Sequence, residues 1–130
     1  MTTTPSISPP IRRVMSYMEE HFAEPLSLAE LARMCNRSLY RFATVFRQEV
    51  GIPPHQYLCR LRIRHAQSLL RQGTSPTMAA VETGFFDQSH LSRHFKRFCG
   101  VTPGRFIASG GHGARDPAAG GGRAGMIRAE

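Results

Sequence analysis

With 130 residues, the chain has room for one domain and a tail, and a hydrophobic share of 41% is enough for a core. Its formal net charge of +8 comes almost wholly from arginine, Lys96 being the only lysine. A domain this basic suits nucleic acid, an anionic membrane surface or an acidic protein. Cys35, Cys59 and Cys99 are far apart with no C-x-x-C pair, which speaks against a disulfide framework and a structural zinc site and fits a reducing cytosol.

The opening MTTTPSISPP lacks the basic-then-apolar order of a signal peptide, and no apolar run approaches a membrane span. A cytoplasmic protein without a membrane partner is expected. Residues 1–8 are polar and proline-spotted and read as disordered. A first helix opens at Pro10 and carries Ile11, Val14, Met15, Met18 and Phe22 on one face. Pro25 interrupts, and Ser27 caps a second helix over LSLAELARM. A third runs from Ser38 to Val50 and stops at Gly51. Pro53 and Pro54 open a long fourth helix over about 54–71, with Leu58, Leu61, Ala66 and Leu69 along one side, and Gly73 ends it. A fifth covers about Pro76 to Thr83, a sixth Asp87 to Cys99, and a short seventh follows Pro103. Residues 109–130 are Gly/Ala-rich without periodicity and read as a flexible tail. No segment alternates as a strand does, so the fold class is all-α with about seven helices between residues 9 and 108.

One device occurs twice. Ala32 precedes Asn36 by four residues, and Ala80 precedes Gly84 by four. Ser38, Phe42 and Phe46 repeat the spacing of Asp87, Leu91 and Phe95, and Gly51, Ile52, Pro54 and Tyr57 match Gly100, Val101, Pro103 and Phe106. The second turn holds one extra residue. A small residue lets two helices cross closely, Asn36 or Gly84 takes a left-handed turn position, and Ser38 or Asp87 caps the next helix. This is a helix-turn-helix, whose second helix can lie in a DNA major groove. The two units span about 29–50 and 76–99.

Turning about 100° per residue sorts the faces. Leu91, Phe95 and Phe98 are expected inside, leaving Ser89, Ser92, Arg93 and Lys96 outward with Gln88 near the tip and His90 flanking. In the third helix Phe42, Val45, Phe46 and Val50 are expected inside, with Tyr40, Thr44 and Arg47 outward beside Arg41 and Ala43. Such a face on one helix is as readily a solvated surface; two copies at the same place in a repeated unit favour DNA.

The stretch GFFDQSHLSRHFKRFCGVTPGRF resembles the signature of the AraC/XylS-type transcription regulators. The resemblance extends over about residues 10–107, including LSLAELARMCNRS, VFRQEVGIPPHQYL and LRIRHAQSLL. It implies a homeodomain-like pair of helix-turn-helix subdomains joined by a linking helix, reading two adjacent major-groove segments of double-stranded DNA. By motif position, base contacts would fall to Tyr40, Ala43 and Thr44, then Gln88, Ser89, Ser92 and Arg93. Ser38, Arg41, Arg47, His90 and Lys96 complete the expected DNA-binding surface. The sequence departs from the family at Ala43 and Thr44, where longer polar residues are common, at Pro76, usually aliphatic, and at Ile107, where arginine is common.

Other constellations carry less. His90, His94 and Cys99 lack further ligands at usable spacing, so no metal is expected. No cofactor motif, nucleophile–base pair or paired carboxylate appears, and the cysteine cluster of DNA-alkyl repair proteins with a similar domain is missing. No catalysis is expected. The basic helix 54–71, with Arg60, Arg62, Arg64 and Arg71, could lie on a membrane surface but serves more simply as the joint between units. The function expected is a transcription regulator, an activator on family precedent, monomeric, located at the nucleoid and with RNA polymerase as a further partner. It would act alone, or as a truncated member, because nothing outside 9–108 is expected to fold. The competing reading is a degenerate module that binds RNA polymerase or a related regulator without reading DNA.

Overall fold

The computed structural model describes residues 6–111. Residues 1–5 and 112–130 lie outside the described residues, and with them most of the expected leader and tail. Among the described residues there are seven helices and no strand: α1 (Pro9–His21), α2 (Leu28–Met34), α3 (Leu39–Val50), α4 (Pro54–Arg71), α5 (Pro76–Glu82), α6 (Gln88–Cys99) and α7 (Pro103–Ala108). They fall into two compact units that divide within α4, after Leu58.

Local chemistry sets the helix ends. Ser27, Ser38, Ser75, Asp87 and Thr102 are extended N-caps whose side-chain oxygens accept from the backbone N–H three residues on. α1 differs. It starts at Pro9, one residue before the predicted start, and its flanking Ser8 makes no side-chain cap bond; the Ser8 hydroxyl and N–H both donate to Glu49 Oε1 at 2.8 Å. Ser8, read from sequence as part of the leader, is thereby tied to α3. At the other end, Gly111 is buried and its carbonyl accepts from Arg71 Nε at 3.3 Å, so order continues past Ala108.

The first unit closes over Ile11, Val14, Met18, Leu31, Ala32, Phe42, Phe46 and Tyr57, all buried. Phe46 stands between Phe42 and Tyr57 with ring centroids 5.7 Å away on either side, and the Tyr57 hydroxyl donates to Glu19 at 2.9 Å. The second unit has a core of Ile63, Ala66, Leu70, Ala79, Ala80, Phe85, Leu91, Phe95, Cys99 and Phe106, with Leu69, Phe98 and Val101 packed at its edge. Leu69 is thus less central than its predicted place in the α4 stripe, while Ile63, Gln67 and Leu70 are buried. One stripe cannot describe a helix whose residues serve two units.

The repeat is visible in the turns. Arg37 N–H bonds back to the Ala32 carbonyl at 3.1 Å, and Phe85 N–H to the Ala80 carbonyl at 2.9 Å. Asn36 (φ 54°) and Gly84 (φ 91°) hold the left-handed position before those donors. The same backbone device therefore ends α2 and α5, and the extra residue of the second turn is Phe86. Since Asp87 satisfies His90 N–H at 2.9 Å, Asp87→Ala is expected to cost about 1 kcal/mol of stability. Chemical denaturation of the two proteins checks this.

Candidate nucleic-acid interface

Each unit turns one face of its second short-turn helix to solvent. On α6, Gln88, Ser89, Arg93 and Lys96 are exposed and Ser92 is half-buried, while Leu91 and Phe95 anchor the opposite side. Among the described residues, neither the Arg93 guanidinium nor the Lys96 ammonium has an ion-pair partner, and the same holds for Arg41 and Arg47 on α3. The nearby acids are already engaged: Asp87 in its cap, Glu49 by Ser8. Both helices thus carry exposed cations that are not tied up in ion pairs, a field suited to an anion.

The polar groups are not all free to read. Gln88 Oε1 accepts from Thr77 Oγ1 at 2.9 Å. His90, expected beside the outward face, is half-buried. Its ring meets Phe85 at 5.2 Å and His94 at 4.8 Å, and its Nδ1 accepts from Phe86 N–H at 3.1 Å. That leaves Nε2 as the protonated nitrogen of the neutral ring. His94, expected to be packed, stacks on Phe85 at 5.6 Å. Among the described residues no group of three or more His, Cys, Asp or Glu is placed to hold a metal.

On α3, Ser38 Oγ caps Arg41 N–H at 3.2 Å. The Thr44 hydroxyl donates to the Tyr40 carbonyl at 2.9 Å, so its one proton is spent on its own helix and only acceptor lone pairs and a methyl remain. Ala43 and Thr44 are half-buried; Arg41 and Arg47 are exposed. Tyr40 is 79% exposed, and beside it Leu39 is 48% exposed. Leu39 was absent from the expected site, although the repeat register that pairs Ser38 with Asp87 also pairs Leu39 with Gln88. Phe86, 87% exposed immediately before Asp87, was missed as well. A position between the buried Phe85 and a cap gives no periodicity to read.

Two α4 arginines pack on core aromatics. Arg62 lies over the Phe85 ring at 6.0 Å, and burial pulls its pKa below the ordinary guanidinium value. Arg71 lies over Phe106 at 5.2 Å. Burial also raises the Cys59 thiol pKa against the opposing fields of Arg62 and Arg97, so it stays protonated and inert. Among the described residues no helix is long and apolar enough to cross a membrane.

Comparison with known proteins agrees with this geometry. Residues 31–109 match a family model described as a helix-turn-helix domain. The chain is 37% identical over 91 residues to an uncharacterized HTH-type transcriptional regulator, YbfI, of Bacillus subtilis, covering 70% of this chain and 33% of that protein. It is 36% identical over 88 residues to the HTH-type transcriptional activator RhaS of Salmonella schwarzengrund, covering 67% and 32%. The chain therefore spans about a third of the length of the curated relatives it matches. Among solved structures, the DNA-binding domain of AdpA in complex with a target DNA superposes with a TM-score of 0.74 at 31% identity, over 78% of this chain and 93% of that one. The C-terminal domain of AraT, a response regulator from Geobacillus stearothermophilus, gives 0.75 at 28% identity, over 81% and 88%.

Proposed function

The chain belongs to the AraC/XylS-type helix-turn-helix family, and from that premise we propose that it is a sequence-specific DNA-binding transcription regulator. The observation that carries this is the pair of exposed cationic faces, each on the second helix of a repeated turn unit. α6 reads base edges through Gln88, Ser89, Ser92 and Arg93, with Lys96 on phosphate. α3 reads through Leu39, Tyr40, Ala43 and Thr44, with Arg41 and Arg47 on the backbone. This first tip is mainly apolar, which suits thymine methyl groups more than hydrogen-bonding edges. It also answers the interaction-module alternative, whose ground was the thin polar chemistry of Ala43 and Thr44.

His90 has a supporting part, because its ring nitrogen holds the turn that precedes α6, and Ser38 supports as a cap. Two reading helices in one chain let a monomer cover two groove segments. The name of RhaS supports activation as the regulatory sign, with RNA polymerase as the second partner and the nucleoid as the place of action.

Three substitutions test the division of labour. Arg93 is the only forked donor among the base-reading residues of α6, and guanine offers it two acceptors. Arg93→Ala is expected to cost about 1–3 kcal/mol on a selected duplex and to relax preference at one position. Lys96→Ala is expected to weaken all duplexes alike and reduce the salt slope by about one. Thr44→Ala should cost less than Arg93→Ala, since its proton is already spent. Binding of each variant to a duplex selected from a random pool and to a scrambled one decides this. Thr44→Ala proving the most damaging, or Arg93→Ala lowering both affinities equally, would contradict the assignment.

A further inference from the structure

The Gln88 side chain is oriented before any duplex arrives. Gln88 is the first residue of α6 and is exposed, yet its Oε1 accepts a 2.9 Å hydrogen bond from Thr77 Oγ1, eleven residues earlier on α5. Both ends of this bond stand on capped helices, because Ser75 accepts from Met78 N–H and Asp87 from His90 N–H. Beneath them, Ala79, Ala80, Phe85 and Leu91 belong to one buried core. The separation of Thr77 and Gln88 is therefore fixed by the packing of α5 on α6.

An amide is planar, so turning its oxygen toward Thr77 puts its nitrogen, with two N–H donors, on the side away from Thr77. A glutamine free to rotate presents acceptor and donor together, the pattern that matches adenine N6 and N7. With its oxygen turned toward Thr77, Gln88 leads with the donors of its nitrogen. Donors suit edges made only of acceptors: guanine O6 and N7 first, then thymine O4. In open water the Thr77 bond restrains the amide weakly. In a groove emptied of bulk water, breaking it would leave the Thr77 hydroxyl without a partner, so the restraint grows when reading takes place.

We propose that Thr77, on the first helix of the second unit, is a positioning residue that sets base preference by fixing the Gln88 amide as a donor to guanine or thymine. The proposal rests on the reading above that Gln88 faces a base edge. It gives α5 a part in specificity without direct contact to a base.

The test selects bound sequences from a random duplex pool with the wild-type chain, Thr77→Val, Thr77→Ser and Gln88→Ala. Valine keeps the shape and removes the hydroxyl; serine keeps the hydroxyl. Thr77→Ala serves in place of valine if thermal unfolding shows that valine disturbs the first turn of α5. The wild type and Thr77→Ser are expected to share a preference for guanine or thymine over adenine at one position. Thr77→Val is expected to lower that ratio by roughly fivefold, leaving other positions and the thermal midpoint unchanged. Gln88→Ala should erase the preference at the same position, which places the effect of Thr77 through Gln88. A wild-type ratio retained in Thr77→Val and Thr77→Ala overturns the proposal while DNA reading stands. A loss spread evenly over all positions overturns it too, because that is the mark of a phosphate or packing role. A wild type that selects no sequence defeats the functional reading itself, and the proposal with it.

Discussion

Gly84→Val is expected to cost the second unit about 2–3 kcal/mol, the range for a β-branched residue held in the left-handed region. For a domain of this size that lowers the thermal midpoint by roughly 10–20 °C. Gly84 sits at φ 91°, between the Val81 carbonyl that its N–H meets and the Phe85 N–H that closes on Ala80. Relaxing φ to suit valine would open both bonds and swing Asp87 off the start of α6. The first unit offers the control. Asn36 holds the equivalent position at φ 54°, tolerated by asparagine but strained relative to glycine. Asn36→Gly should therefore be neutral or slightly stabilising, while Asn36→Val should be costly. Thermal unfolding of the three variants checks the pair. An unchanged midpoint for Gly84→Val would mean that the second turn does not depend on that backbone position.

Affinity for duplex DNA is expected to fall about fortyfold between roughly 50 and 200 mM salt, for about three neutralised phosphates at roughly 0.9 unit of slope each. Arg41 and Arg47 on α3, and Lys96 on α6, are exposed and without ion-pair partners among the described residues. They therefore reach a phosphate without first breaking an internal pair, and each contact releases condensed counterions. Titrations of one fluorescent duplex across this salt range measure the slope. A nearly flat dependence would contradict a phosphate-facing role for these side chains.

Much of the fold could be read from the chain because its signals are local. Proline, serine, aspartate and glycine mark helix ends through bonds made within a turn, and the repeat of Ala32–Asn36–Ser38 as Ala80–Gly84–Asp87 exposed the shared motif. The inner faces followed from helical spacing, so Phe42, Phe46, Leu91 and Phe95 are buried as expected. What escaped depends on partners distant in sequence or on side-chain direction. Ser8 reaches Glu49 across 41 residues, and Thr77 reaches Gln88 across eleven; no spacing rule announces either. His90 occupies a flank where its ring can face outward or fold over Phe85, and the Phe86 N–H decides in favour of the turn. Thr44 was legible as outward but not as self-satisfied, because its bond to Tyr40 depends on the rotamer. Leu39 is legible in the repeat register, which sets it opposite Gln88 one residue past the cap.

Sequence-specific recognition is tested most directly by competition at about 150 mM salt, with the full chain bound to a labelled duplex selected from a random pool. Unlabelled copies of that duplex and of a scrambled duplex of equal length and composition are then titrated against it. The selected duplex is predicted to compete at a concentration roughly a thousandfold lower than the scrambled one. Equal competition by the two would contradict base reading by α3 and α6 and leave only attraction to phosphate.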